Sequence, residues 1–282
     1  MQLLYDPRDD RYHERLGSRI LDWLDDLGAV PLTEAAPTEP GFLFAGARPI
    51  EDYRDLVARY PFVRDRPDER APLLRLDAVL AAVERAGVRV PCPRTWVLEL
   101  DAPLPAGLTF PLFLRTTESS MKKDGHISRV RNPREFATEA AELRRVLGWD
   151  ATILAREWLD LEPAGDGHYG PVPQEVRVWV VDGVPAVWSF HYLGLVPRPQ
   201  GFPPSADALD VLRRQAAAVG SAFRSRLVAV DFARARDRGW CWIEAGPGSC
   251  AGTAHEPVFK AVAGRLKGEP VGFAGDAVGG LL

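Results

Sequence analysis

Residues 227–244 run Leu227-Val228-Ala229-Val230-Asp231-Phe232-Ala233-Arg234-Ala235-Arg236-Asp237-Arg238-Gly239-Trp240-Cys241-Trp242-Ile243-Glu244. Two runs of β-branched and aromatic residues flank a short Asp-Arg-Gly turn, which predicts an antiparallel hairpin. Each run carries one acid, Asp231 in the first and Glu244 at the end of the second. A carboxylate on an apolar strand is costly unless something offsets its charge, and a divalent cation is a common offset. Mg²⁺ takes few protein carboxylates and keeps positions for phosphate oxygens and water, which suits such a pair. The alternative is an acid that caps a strand and pairs with a nearby arginine. Neighbouring strands lie about 4.8 Å apart, so both carboxylates can reach one ion. Without the ion two like charges at that distance repel. Asp231→Asn or Glu244→Gln is therefore expected to leave the metal-free fold as stable as before, or more so.

Around this hairpin the chain reads as a mixed α+β protein. Glu244 is followed by Ala245-Gly246-Pro247-Gly248-Ser249-Cys250-Ala251-Gly252, a glycine-rich loop leading toward a helix. Such a loop can bring backbone N–H groups to an anion, but it lacks the G-x-x-x-x-G-K-S/T spacing of a P-loop. Upstream, Val176–Val181 and Ala186–Phe190 are strands joined at Asp182-Gly183, a two-residue hairpin signal. Glu175 and Arg177 share one face of the first by the period of two. Trp96–Leu98, Leu112–Leu114 and Ile153–Ala155 are further strands. Helices are expected over Pro133–Leu147, with Asn132 as N-cap, and over Asp207–Phe223.

Residues 1–90 read as a small α/β unit. Leu3–Tyr5 and Phe42–Ala45 are short strands, and helices are expected over Arg11–Leu27, Ile50–Tyr60 and Leu73–Ala86. The run Arg64-Asp65-Arg66-Pro67-Asp68-Glu69-Arg70 reads as a solvated loop. The tail after Gly268 is glycine-rich and expected to be loose.

Composition narrows the class. In 282 residues, 46% are apolar and 26% charged, enough to bury a substantial core and too apolar for a disordered chain. The net charge of −4 gives no basic field for nucleic acid or anionic lipid. No run approaches about 18 apolar residues, so no membrane span is expected. Cys92, Cys241 and Cys250 are odd in number and lack C-x-x-C spacing, which predicts a reduced, cytoplasmic protein without a zinc site. Of 35 basic residues only four are lysines, yet Lys122 and Lys123 are adjacent. They follow Arg115-Thr116-Thr117-Glu118-Ser119-Ser120, a strand end that delivers a cation and then a hydroxyl-rich loop. Hydroxyls and amides around lysine suit a triphosphate.

In this order the motifs resemble the ATP-grasp superfamily, and in detail its divergent clade that trades phosphate-binding lysines and arginines. The resemblance spans roughly residues 70 to 262. It starts at Gly87-Val88-Arg89-Val90-Pro91-Cys92-Pro93-Arg94-Thr95, continues through Arg115, the lysine loop and the hinge Arg156-Glu157-Trp158-Leu159, and ends in Glu175-Val176-Arg177 and the Asp231/Glu244 pair. Arg115 stands where many relatives carry lysine, and Gly246 where an asparagine usually supplies a third metal ligand. The resemblance implies an ATP-grasp fold of two α+β lobes over 91–268 behind an N-terminal α/β domain, 1–90, with a tail, 269–282. The lysine-loop lobe would cover about 91–155, the hinge 156–162 and the metal-binding lobe about 163–268.

The same resemblance implies an ATP-dependent ligase. It would activate a carboxylate of a small molecule or peptide as an acyl phosphate, releasing ADP, for capture by an amine or another nucleophile. Arg115, Lys122, Lys123 and Arg177 would neutralise phosphates, and Asp231 and Glu244 would hold Mg²⁺. The hinge at Glu157, Trp158 and Leu159 would read adenine, and Asp160 or Glu162 the ribose. Arg66, Arg70 and Arg75 would bind the substrate carboxylate. An ATP-grasp kinase, or a nucleotide-binding module without ligase activity, would carry the same motifs. Lys122-Lys123-Asp124-Gly125 also reads as K-x-D-G, the adenylated-lysine motif of nucleic-acid ligases, but no E-G-x-V-x-K partner follows.

Overall fold

The computed structural model describes residues 1–7, 17–44, 49–98, 104–117, 129–147, 152–167, 170–191, 199–201, 203–251, 256–270 and 273. The predicted lysine loop with Lys122 and Lys123, the start of the helix expected from Arg11, and most of the tail lie outside these residues.

The hairpin at 227–244 forms as expected, and longer. Strands β12 (Leu227–Ala235) and β13 (Gly239–Pro247) pair antiparallel, and β12 also pairs with β10 (Glu175–Val181). Strand β11 (Val184–Phe190) completes a four-stranded antiparallel sheet in the order β11-β10-β12-β13. The turn between β10 and β11 has positive φ at both Asp182 and Gly183, the left-handed pair a tight hairpin needs.

The pleat of β10 divides this sheet's two faces. Val176, Val178 and Val180 pack with Leu73, Leu76, Val79 and Val83, and with Leu212, Ala216 and Val219 of the helix Ala206–Gly220. Trp179 and Val181 point the other way, against Val258, Phe259, Val262 and Leu266 of the helix Glu256–Lys267. Leu3, Phe42 and Phe44 join that second core, from strands β1 (Gln2–Tyr5) and β3 (Gly41–Phe44). With β2 (Val30–Pro31) these make a small parallel sheet in the order β2-β1-β3. Each fully buried aliphatic side chain contributes about 1.5–3 kcal/mol, so the N-terminal residues help to seal both faces of the central sheet.

A second four-stranded sheet, in the order β4-β7-β5-β6, is built from Thr95–Leu98, Ile153–Glu157, Leu112–Thr116 and Arg129–Val130. One face is covered by the helix Pro133–Leu147, through Ala140 and Leu143 against Leu112, Leu114, Ile153 and Ala155. The N-cap expected at Asn132 is there: its Oδ1 accepts from the N–H groups of Arg134 and Glu135, both at 3.0 Å. The other face carries Arg115, Leu154 and Arg156, and Leu154 packs into the first core of the central sheet. A ribbon of β8 (Pro163–Gly167) and β9 (Gly170–Pro173) links the sheets; its glycines and prolines hid it in the sequence.

Two N-terminal expectations are corrected. The helix expected over Leu73–Ala86 spans Leu76–Arg85; Leu73 belongs to a 3-10 turn, Ala71–Leu73, and the Leu76 N–H bonds to the Thr117 carbonyl at 2.9 Å. The charge run 64–70 is no solvated loop, because it contains the short helix Pro67–Arg70 and turns Asp65 and Arg70 inward. The helix expected over Asp207–Phe223 ends earlier, at Gly220, where Ala222 and Phe223 bond back three residues instead of four. Among the described residues no helix is long and apolar enough to cross a membrane.

Candidate functional site

On the second face of the central sheet, beyond Trp179, the apolar core gives way to charged residues. Strand register places Arg177 opposite Asp231 and Asp231 opposite Glu244, so three charged residues form one rung across β10, β12 and β13. The register shifts just past Asp231, a β-bulge of the kind that re-aims side chains beside sites.

Arg177 grips Asp231 with two parallel hydrogen bonds, Nε to Oδ1 and Nη2 to Oδ2, each 2.7 Å. Burial opposes the guanidinium's charge, but Asp231, Glu175 and Glu244 outweigh it and push its pKa further up. Glu244 accepts a 2.7 Å hydrogen bond from Arg115 Nη1, which reaches across from the second sheet. The two acids therefore do not face each other unscreened, and the expected repulsion of the metal-free pair is corrected: each has its own arginine. The acids stand opposite each other as the hairpin predicts, and each pairs with an arginine as the alternative reading expects.

Convergence leaves a donor set that fits Mg²⁺. A carboxylate offers about four lone-pair sites, so a two-pronged arginine leaves some open. The nearest atom to a Cβ placed on Gly246 is the Leu73 carbonyl oxygen at 3.9 Å, an ordinary contact, so a side chain can start there without a clash. On the far side of Asp231, Glu175 and His191 each bring a ligand atom within 4.8 Å of one on Asp231 and of each other. Nε2 of His191 lies 3.7 Å from Oε1 of Glu175. Sequence reading passed over His191, which follows strand β11 with no motif to mark it.

The residues expected to form the hinge lie at and just beyond the end of β7, with Glu157 as its last residue. The Glu157 N–H bonds to the Arg94 carbonyl at 2.8 Å and that of Trp158 to Pro111 at 3.3 Å, while the Leu159 N–H has no partner among the described residues. The Glu157 side chain accepts from Arg238 Nη2 at 3.0 Å, tying the hinge to the turn between β12 and β13. That hydrogen bond is the main reason its carboxyl is held below the usual range. The Trp158 ring lies under the Arg129 guanidinium, 4.5 Å from its centre. Asp160 and Glu162 share Arg236, at 3.5 and 3.8 Å.

Arg156 was passed over as a site residue, although the period of two on β7 puts it on the same face as Leu154. Burial comes first, and the neighbouring Arg115 second, in lowering its pKa to about 10. Of the arginines expected to meet a substrate carboxylate, Arg70 is corrected. It is fully buried, donates to Ser249 Oγ at 2.8 Å, sits 3.6 Å from Asp65 and stacks on Tyr53. Arg75 is taken by Asp77 at 2.9 Å, and Arg66 donates to the Pro61 carbonyl at 3.5 Å.

A cleft between two antiparallel sheets, with arginines from both and paired acids on one, has its counterpart in a known family. A family model described as an ATP-grasp domain, family 3 of the clade that trades arginines and lysines, matches residues 105–266, more than half of the chain. The chain belongs to the ATP-grasp superfamily, in its arginine–lysine clade. Solved ATP-grasp structures superpose along nearly the whole length. The D-alanine–D-alanine ligase of Bacillus anthracis, complexed with ATP, matches with a TM-score of 0.63 and 12% identity, over 94% of this chain and 92% of that one. A RimK-domain ATP-grasp protein of Sphaerobacter thermophilus gives 0.61 and 17%, over 96% and 100%. The D-cycloserine synthetase DcsG gives 0.57 and 17%, over 94% and 99%. At these identities the likeness shows the fold, with its two α+β lobes. No curated protein sequence matches the chain.

Proposed function

We propose that this ATP-grasp protein is an ATP-dependent ligase. It passes the γ-phosphate to a substrate carboxylate and leaves ADP, and an amine or other nucleophile then captures the acyl phosphate. The observation that carries the reading is the rung Arg177–Asp231–Glu244 facing Arg115 from the other sheet. Phosphoryl transfer asks a protein mainly for positioning and charge neutralisation, and both are built into this rung.

In this reading Asp231 and Glu244 hold Mg²⁺, which when bound screens the phosphate charge and orients the transferred group. Arg115 and Arg177 stand on opposite walls and hold phosphate oxygens through planar N–H forks. Lys122 and Lys123 bring further cations from their loop. The Glu157 carbonyl and the Leu159 N–H read the adenine edge from the hinge, with Trp158 beside them. Asp160 or Glu162 takes the ribose hydroxyls, trading the shared Arg236 for them. The substrate is a carboxylate-bearing small molecule or peptide, the partner a nucleophile, and the compartment the cytoplasm. That the relatives in the fold comparison include D-alanine–D-alanine ligase and D-cycloserine synthetase supports an amide-forming or related chemistry.

The test is ADP, AMP and phosphate release from Mg²⁺-ATP, screened over amino acids and short peptides. ADP and phosphate formed only with a carboxylate and a nucleophile present is the expected result. AMP with pyrophosphate, or an adenylate on Lys122 or Lys123, places the chain among nucleotidyltransferases instead.

A further inference from the structure

In the reading above Arg115 holds phosphate and Glu244 holds Mg²⁺, yet the two are bonded to each other, Nη1 to Oε2, at 2.7 Å. Both duties require that bond to give way. A carboxylate that ligates a metal ion is ordinarily hydrogen-bonded by a further group, which fixes its orientation. Among the described residues the Glu244 carboxylate accepts a hydrogen bond from Arg115 alone, so Oε1 is open to a second donor.

One donor stands close by. Arg156 is 5% exposed; its Nε donates to Thr95 Oγ1 at 3.1 Å, while its Nη2 is buried with no hydrogen-bond partner among the described residues. Such groups are rare, because water has been given up and nothing replaces it. Arg115 shows where this face of the second sheet looks, since its own side chain crosses to Glu244 on β13. Arg115 is paired opposite Leu154, and Arg156 lies two residues further along β7, which makes the two arginines diagonal neighbours on one face. Diagonal neighbours stand about 7–8 Å apart at the backbone, within reach of long side chains. The electrostatics agree: burial and then Arg115 lower the pKa of Arg156, and Glu244 is near enough to oppose them.

We propose that Arg156 is a positioning residue for Glu244: when an ion or a phosphate draws Glu244 and Arg115 apart, Arg156 Nη2 donates to the Glu244 carboxylate and holds it for the ion. Arg115 is thereby released without leaving the acid unheld. The proposal rests on the metal reading of Glu244. It also fixes the sign of a measurement. By charge alone, removing a cation from beside a metal site tightens divalent binding. Removing the hydrogen bond that orients a ligand weakens it, by about 10- to 100-fold.

The experiment follows Mn²⁺ binding, by the free-ion EPR signal, and urea unfolding without metal in wild type, Arg156→Met, Arg115→Met, the double variant and Glu244→Gln. Arg156→Met is expected to bind Mn²⁺ at least tenfold more weakly, at a urea midpoint no lower than that of wild type, since a buried cation beside Arg115 is gone. In the Arg115→Met background Arg156 inherits Glu244, so the same substitution is expected to lower the midpoint there. Unchanged or tighter Mn²⁺ binding by Arg156→Met overturns the positioning role and leaves the metal reading standing. A lowered midpoint of the single variant assigns Arg156 to the fold and overturns the role as well. No Mn²⁺ binding by wild type, or equal binding by Glu244→Gln, overturns the metal reading; the unfolding cycle then decides the pairing, and additive effects overturn it. Should Arg156→Met not fold, a crystal structure of wild type with Mn²⁺-ATP decides. Expected is a Glu244 oxygen within hydrogen-bond distance of Arg156 Nη2, and Nη2 bonded elsewhere overturns the role.

Discussion

Asp231 shows how much one side chain is asked to do. It is 5% exposed and answers the charge of Arg177, and in our reading it also holds a metal ion. Asp231→Asn removes the charge but keeps one acceptor oxygen, leaving Arg177 partly buried against a neutral partner. Unpairing a buried ion costs several kcal/mol, whereas an exposed pair is worth about 1 or less. The variant is therefore expected to lose roughly 2–4 kcal/mol in urea unfolding as well as ATP turnover. Glu244→Gln is expected to lose turnover with a smaller stability change, about 1 kcal/mol, because Glu244 is 30% exposed. Equal stability of Asp231→Asn and wild type would show that the Arg177 fork is not needed by the fold. Sequence alone pointed to both acids, since an acid in an apolar strand is conspicuous. It could not assign their arginine partners, which lie 54 and 129 positions away.

Between elements, the hinge strand β7 is tied to the β12–β13 turn by Glu157 and Arg238. The tie makes a pH prediction with a definite sign. Glu157 has its pKa lowered in the fold, chiefly by the hydrogen bond from Arg238. Its contribution is thus complete above the ordinary glutamate value near 4.5 and is lost as pH falls through the lowered folded value. Being partly solvated, the pair is expected to contribute on the order of 0.5–1 kcal/mol. Glu157→Gln should unfold at lower urea than wild type at pH 7, and the gap should close as the pH is taken from 5 toward 3. A gap that stays constant over that range would assign the difference to packing. The elements themselves were largely legible: the hairpins at 182–183 and 237–239 and the Asn132-capped helix stand where periodicity and turn chemistry put them. The ribbon β8–β9 and the two-residue strand β2 were not, because their pairing comes from neighbours and not from β-forming residues.

Across the whole molecule, Arg70 joins parts of the chain that are far apart in sequence. Fully buried, it bonds to Ser249 in the glycine-rich loop, lies beside Asp65 and stacks on Tyr53, whose hydroxyl donates to the Asp65 carbonyl at 2.6 Å. It thereby fixes the N-terminal residues to the loop that follows Glu244. Arg70→Met keeps most of the volume and leaves Asp65 buried, with Ser225 at 3.1 Å as its side-chain hydrogen-bond partner among the described residues. A loss of roughly 3–5 kcal/mol is expected. Burial already raises the Asp65 pKa against the lowering effect of Arg70, and removing Arg70 raises it further. A raised carboxyl stabilises the fold below its unfolded pKa and loses that contribution as pH rises through the folded value. The deficit of Arg70→Met should therefore be largest at pH 8 and shrink toward pH 5, read by chemical denaturation at each pH. A pH-independent deficit would mean that Asp65 takes no part.

What the sequence determined by itself is the set of elements and the order of the charged motifs, because hydrophobic period, turn residues and acids in apolar strands are local properties. That order was enough to point to an ATP-grasp protein. The tertiary structure decided which charges meet. Arg177 faces Asp231 and Arg115 faces Glu244 through strand register and the approach of two sheets, and neither leaves a trace in local sequence. It also separated arginines that look alike in the sequence: Arg70 is sealed in the interior, and Arg156 is buried beside Thr95 with its Nη2 unpaired among the described residues. A guanidinium has the same intrinsic chemistry everywhere, so its role is set by what burial removes and which partner the fold supplies.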